Sequence, residues 1–293
     1  MSGDTTSTKR SDDVPAQQQQ WPGSDTDLDP PADHGEQSWT GRGRLLGKRA
    51  LVTGGDSGIG RAVALTFAAE GADVVIAHLA QESDDAEETA RLVRATGRRA
   101  VLHEADLRTA AANQDLARTA VEALGGVDVL VCNAAFQMAH DELSQFPPDQ
   151  LERTFATNVF GPFWLIQALA PQLEDGGCVL VTTSIQAYSP SDILVDYAST
   201  KATINAFTKG LAQQLAPKGI RVNAVAPGPF WTPLQVVEGG KQPGALKDFG
   251  GSTPMGRPGQ PVELAPVYVL LASGEASYIT GHVYGAVGGN GGP

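Results

Sequence analysis

The chain has 293 residues, is 41% hydrophobic and carries a formal net charge of −12. That length can bury the core of one large α/β domain, while so acidic a balance excludes nucleic acid and anionic membranes as expected partners. No apolar run reaches the roughly 18 residues of a membrane span, and the N-terminus lacks a secretory signal's apolar stretch, so a cytoplasmic protein is expected.

Residues 1–45 stand apart. They carry Gln17 to Gln20 in a row, several prolines, many Asp and Ser, and almost no aliphatic side chains. Such a segment buries too little apolar surface to offset its ordering entropy. It is expected to be a disordered or extended arm, and in the extended case to lie over a neighbouring subunit with Trp21 and Trp39 as anchors. Residues 46–293 form the single catalytic domain.

From Leu46 the pattern alternates. Arg49–Thr53 reads as a buried strand, the loop Gly54 to Gly60 follows, and the segment to Glu70 has helical composition. Strand, glycine loop and helix in succession is the context of a dinucleotide site. Glycine lets the backbone turn tightly and approach a pyrophosphate, and the helix N-terminus offers free N–H groups and a positive dipole end. The spacing Gly54-x-x-x-Gly58-x-Gly60 is one residue longer than the common form. Further strands are expected at 73–77, 100–104, 127–132, 178–183, 221–226 and 282–287. Helices are expected at 86–96, 111–124, 151–173, 197–216 and 261–271. This alternation indicates a mainly parallel sheet with helices on both faces and right-handed crossovers. Cys132 and Cys178 fall within strands and imply buried thiols rather than a disulfide framework, and five scattered histidines predict no metal site.

Residues 228–261 break the alternation. They are rich in Gly and Pro, and include Phe230, Trp231, Leu234 and Phe249. A connection this long in a compact domain is usually functional, and it reads as a substrate lid. The loop Gly54–Gly60 and the residues Asp106, Asn133, Ser184 and Pro227 all fall at or just after strand C-termini, where ligands bind in such sheets.

The chemistry lies in Tyr197-Ala198-Ser199-Thr200-Lys201, with Ser184 thirteen residues earlier. On a helix, residues four apart share a face, which brings a phenol beside an ammonium. The cation favours phenolate, so a tyrosine pKa of about 10 should be pulled toward working pH. Ser184 would hold a substrate oxygen beside the phenol.

Together these motifs resemble the short-chain dehydrogenase/reductase family, from about Leu46 to Gly289. Thr53 with Gly54, Gly58 and Gly60 matches its cofactor loop. Asp106 matches the acid placed against adenine, and Asn133-Ala134-Ala135 stands where Asn-Ala-Gly is usual. Asn158 matches the helix asparagine of the catalytic tetrad, and Pro227-Gly228 with Thr232 matches the element near the nicotinamide. Within the family, the loop, Pro229–Pro233 and the polar N-terminus look like a bacterial branch of general-stress oxidoreductases and aldehyde reductases.

The resemblance implies a Rossmann-type doubly wound sheet of seven strands in the order 3-2-1-4-5-6-7 and a homotetramer. It implies an NAD(P)-dependent oxidoreductase acting on a small carbonyl or alcohol. The catalytic residues would be Asn158, Ser184, Tyr197 and Lys201, with Tyr197 as general acid/base and Asn158 positioning a water behind Lys201. Cofactor contacts would come from Gly54, Asp56, Ser57, Gly58, Ile59, Gly60, His78, Leu79, Asp106, Leu107, Asn133, Ala134, Ala135, Tyr197, Lys201, Pro227, Gly228, Phe230 and Thr232. Substrate contacts would come from Ser184, Gln186, Tyr197, Phe136 and Trp231.

NAD and NADP both fit. No Asp or Arg ends the second strand, but Asp56 and Glu82 would repel a 2′-phosphate, which favours NAD. Ala135 departs from the family's glycine; if that position needs positive φ, alanine is strained there. The alternative function is a catalytically silent nucleotide-binding regulatory or scaffold protein.

Overall fold

The computed structural model describes residues 14–237 and 243–293. The expectations for residues 1–13 and for the lid's residues 238–242 lie outside these. Seven strands form one parallel sheet: β1 (Arg49–Thr53), β2 (Asp73–His78), β3 (Ala100–Glu104), β4 (Val129–Cys132), β5 (Cys178–Thr182), β6 (Arg221–Pro227) and β7 (Val283–Ala286). Their order is β3-β2-β1-β4-β5-β6-β7, as the family resemblance implied. The reversal of direction beside β1 opens a crevice at the strand C-termini, between β1 and β4.

Side-chain alternation explains why both faces are covered. Ala50 and Val52 of β1, Val74 and Ile76 of β2, and Cys178 and Leu180 of β5 point into one core with α1 (Gly58–Ala69) and α2 (Ser83–Ala95). Leu51, Val75, Val179 and Val181 point into the other, against α3 (Ala110–Leu124). The expected helix 151–173 is three pieces: α4 (Gln150–Phe155), a π-helical turn (Ala156–Phe160) and α5 (Gly161–Leu169). The turn places Asn158 at its centre, and such turns concentrate at functional sites. The last helices are α6 (Val195–Leu215), the short α7 (Pro233–Val236) within residues 228–261, and α8 (Pro261–Ala272), whose Leu264, Tyr268 and Val269 join the first core. Among the described residues, no helix is long and apolar enough to cross a membrane.

Residues 14–45 are packed against their own chain. Leu45 and Trp39 join the first core, and Val14 and Leu28 form a separate small core with Trp231, Val236, Leu246 and Phe249. At the end of α1, Glu70 accepts from the backbone N–H groups of Arg42 (2.8 Å) and Arg44 (3.0 Å). The Arg44 guanidinium pairs with the same carboxylate at 2.6 Å. Burial alone would raise the Glu70 pKa, but Arg44 and the two N–H groups hold it down to about 2. A depressed carboxyl contributes stability above its unfolded pKa and loses it as pH falls through the folded one. The contribution of Glu70 is therefore complete above about pH 4.5 and gone near about 2. Glu70→Gln should cost on the order of 3 kcal/mol at pH 7, read as a lowered thermal midpoint, and that deficit should shrink as pH falls below about 4.5 and disappear only near about 2.

Candidate active site

One cavity of about 1050 Å³ lies at the strand C-termini. It is lined by Gly54 and Asp56 to Ile59 of the glycine loop, the β2 end (His78, Leu79), the β3 end (Asp106, Leu107), the β4 end (Asn133 to Ala135) and the β5 end (Ser184), while Gly60, expected to touch the cofactor, packs against Gly54 and Asn133 instead. Tyr197, Lys201 and Gln186 line it too, as do Pro227, Gly228, Phe230 and Thr232 from the β6 end. The topology thus gathers in one place motifs spread over some 180 residues of sequence.

The glycine loop fits a dinucleotide. A Cβ at Gly60 would lie 1.7 Å from the Gly54 carbonyl oxygen, and Gly54 and Gly58 hold φ of +61° and +50°. The loop therefore passes close enough to β4 to leave a cradle in front of α1. Thr53 Oγ1 fastens it, accepting from the N–H groups of Asn133 (3.0 Å) and Ala134 (3.1 Å). Asn133 Nδ2 donates back to the Gly54 oxygen, and Thr182 Oγ1 donates to Asn133 Oδ1. Thr182 also shares a 2.7 Å hydrogen bond with the Tyr268 hydroxyl of α8. Four elements are locked by these side chains.

Asp56 is almost fully buried, and neither carboxylate oxygen has a well-formed hydrogen-bond partner. Burial first, and then the charge of Glu82, push its pKa well above the ordinary range, with the Ser57 hydroxyl offsetting this only in part. Two orphaned buried acceptors facing a cradle are what ribose hydroxyls would satisfy. Asp106, beyond the end of β3, is held by a forked pair with Arg108.

At the other end, Tyr197 and Lys201 are buried on α6. Lys201 Nζ lies 5.2 Å from the Tyr197 ring centroid and donates to the Thr182 carbonyl at 2.8 Å. Burial reverses the electrostatics expected from the spacing. It pushes the Tyr197 phenol up to about 12, partly offset by a hydrogen bond from Ser184, and brings Lys201 down to about 7. Burial thus favours the neutral form of both the Tyr197 phenol and the Lys201 amine relative to their ordinary ranges.

Asn158 is buried rather than exposed. Its Oδ1 accepts from Phe136 N (2.8 Å), and its Nδ2 donates to Phe136 O (2.9 Å) and Thr200 Oγ1 (3.1 Å). The amide is spent on fixing the segment after Ala135 against α6, so any water it helps to place must be held by other groups. Among the described residues, none but glycine has positive φ, so Ala135 carries no left-handed strain.

Two expected substrate contacts are placed elsewhere. Phe136 is buried against Trp21 and Arg153, and Trp231 sits in the small core, its Nε1 donating to the Pro30 oxygen at 2.7 Å. Neither lines the cavity, because each is the apolar anchor of a segment around it rather than its inner wall. Lining residues without a sequence signal include Pro22, Arg153, Asn290 and Gly291; Trp21, flagged only as a possible anchor, joins them.

A crevice at the switch in strand order, a glycine cradle and a buried tyrosine–lysine pair define a dinucleotide-dependent oxidoreductase. The family model described as enoyl-(acyl carrier protein) reductase matches residues 54–290. The chain is 50% identical over 281 residues to the uncharacterized oxidoreductase YhxD of Bacillus subtilis, covering 95% of this chain and 94% of that one. It is 43% identical over 279 residues to general stress protein 39 of the same species, covering 95% and 96%. A short-chain dehydrogenase from Burkholderia cenocepacia, solved in complex with NADP, superposes with a TM-score of 0.79 at 35% identity, covering 84% of this chain and 98% of that one. The chain belongs to the short-chain dehydrogenase/reductase family and is an oxidoreductase working with a nicotinamide cofactor.

Proposed function

We propose that the protein reduces small or medium aldehydes or ketones with NADH, using Tyr197 as the general acid. The observation that carries this is the pairing of a phenol kept neutral by burial, at about 12, with a lysine brought to about 7, beside the Ser184 hydroxyl. When bound, the nicotinamide supplies the hydride to the carbonyl carbon. Ser184 donates a hydrogen bond to the substrate oxygen and Tyr197 gives that oxygen its proton, so the product is the alcohol. Lys201 then restores the phenol's proton, which its pKa near working pH suits. Gln137 and Gln186 offer polar contacts to the substrate, while Leu194, Leu234 and Phe249 offer apolar ones. An absorbance assay at 340 nm across aldehydes, ketones and sugars tests the reading. Turnover should be strongest with simple carbonyls and should depend on Tyr197; nucleotide binding without any turnover would return the silent scaffold.

The preference for NADH rests on Asp56 and Glu82. A 2′-phosphate placed at this end would meet the buried Asp56 and the half-buried Glu82, two carboxyl groups that leave little room or solvation for a further anion. The two arginines of the cavity are engaged, Arg108 with Asp106 and Arg153 over two aromatic rings. NADH should bind at least about tenfold more tightly than NADPH, which is about 1.4 kcal/mol. Asp56→Ser should narrow that gap; tighter binding of NADPH by the unaltered protein would sink the assignment.

We also take the protein to be a homotetramer. Phe160 at the end of the π-helical turn and Phe163 on α5 are each 46% exposed, and Phe163 packs beside Phe207 of α6. This apolar face of two long helices suits a subunit contact. Light scattering should give a mass four times that of the 30.5 kDa chain.

A further inference from the structure

The N-terminal arm touches the cavity at both ends of a short span. On the lid side, Gln19 N donates to the Val236 oxygen at 2.9 Å, and Gln19 bridges to Val237. Trp21 then turns inward. Its ring meets Phe136 edge-on at 5.7 Å, and the Arg153 guanidinium lies over both rings, 4.4 Å from Trp21 and 4.0 Å from Phe136. Trp21 and Pro22 line the cavity.

On the glycine-loop side, Asp25 N donates to Asp85 Oδ2 of α2 at 2.9 Å. The Asp25 carboxylate accepts the Gly58 N–H at 2.8 Å, the first amide of α1. The segment therefore runs from the lid across the mouth of the cavity to the glycine loop.

His34 is buried between Asp25 (3.1 Å) and Glu36 (3.3 Å), and Glu36 also faces Arg61 of α1 at 3.5 Å. Two cations thus face the two carboxylates of the arm, with Asp85 of α2 a third carboxylate held by the Asp25 N–H and the Thr26 hydroxyl. Burial would lower the His34 pKa, but the two carboxylates raise it to about 9, which keeps the ring charged.

We propose that residues 19–34 are a latch of the dinucleotide site, with Trp21 and Pro22 as its wall and Asp25 as the positioning residue that fastens it to the glycine loop. Nucleotide then enters and leaves only when the contact at Gly58 opens. The latch rests on the reading of this cavity as the dinucleotide site, and it adds a segment outside every motif that identified that site.

The test is stopped-flow displacement of bound NADH from the full-length chain, followed by nucleotide fluorescence. Asp25→Ala and Trp21→Ala should each release NADH at least tenfold faster than the unaltered protein. Asp25→Asn, which keeps an acceptor oxygen, should recover much of the slow release, and Asp29→Ala, on the exposed stretch, should change nothing. Hydrogen exchange on the unaltered protein supplies a readout that no variant can spoil by misfolding: NADH should increase amide protection across residues 19–34. Unchanged release in both variants, or unchanged protection on binding NADH, overturns the latch while leaving the cofactor site standing. If neither NADH nor NADPH binds the unaltered protein, the cofactor reading falls and the latch falls with it.

Discussion

Tyr197→Phe is expected to lower kcat about a thousandfold while leaving NADH affinity within twofold. The substitution removes one hydroxyl from a buried ring and changes nothing in the backbone of α6 or in the hydrogen bond from Lys201 to Thr182. The proton destined for the substrate oxygen must then come from water or from Lys201, whose ammonium is directed at a carbonyl. Fluorescence titration with NADH checks that the cleft is intact, and turnover on the best carbonyl substrate reads the loss. Retention of wild-type turnover would move the general acid to another group, with Ser184 the first to test.

Gly60→Ala should be nearly as damaging by a different route. The added methyl would fall 1.7 Å from the Gly54 oxygen and 2.7 Å from Asn133 Nδ2, the first of which is backbone that has no rotamer to yield. Either α1 moves away from the loop or the Thr53–Asn133 fastening breaks. The expected result is a destabilisation of at least about 3 kcal/mol and nucleotide affinity lower by about a hundredfold, or 2.7 kcal/mol. Gly274→Ala is the matched control, since a Cβ there meets nothing within 4 Å and the residue has no left-handed φ. A protein that tolerates alanine at position 60 with unchanged NADH binding would show that the loop is not closed as described.

These two positions also show what the sequence discloses and what it conceals. Gly60 was legible because a steric requirement is written in residue type at fixed spacing, and the same holds for the strand alternation that set the sheet. Tyr197 and Lys201 were legible as a pair, yet the direction of their pKa shifts was not. Spacing says that a cation stands near a phenol; only the closed fold says that both are cut off from water, and that loss of solvation outweighs their mutual effect.

The packing of the arm's residues 14–45 was not legible for a related reason. Its composition predicts too little apolar burial to order itself, and within the segment that is correct. What holds it is supplied by partners far along the chain: Gly58 for Asp25, Glu70 for Arg44, and Trp231 and Phe249 for Leu28. Trp231 likewise read as a substrate wall because an aromatic in a lid usually faces the ligand, whereas here it anchors the lid to the arm.

That small core, Val14 and Leu28 against Trp231, Val236, Leu246 and Phe249, is separate from the two cores that clasp the sheet. The groups proposed to move protons and hold the nucleotide are mounted on the sheet and its helices, while much of the outer wall is mounted on this third cluster. Mutations accumulating in the third cluster would reshape what the enzyme accepts without disturbing how it reacts. Relatives with one chemical engine and divergent substrates are what such a division of labour would produce over evolutionary time, and it marks the arm and lid together as the unit to exchange when engineering selectivity.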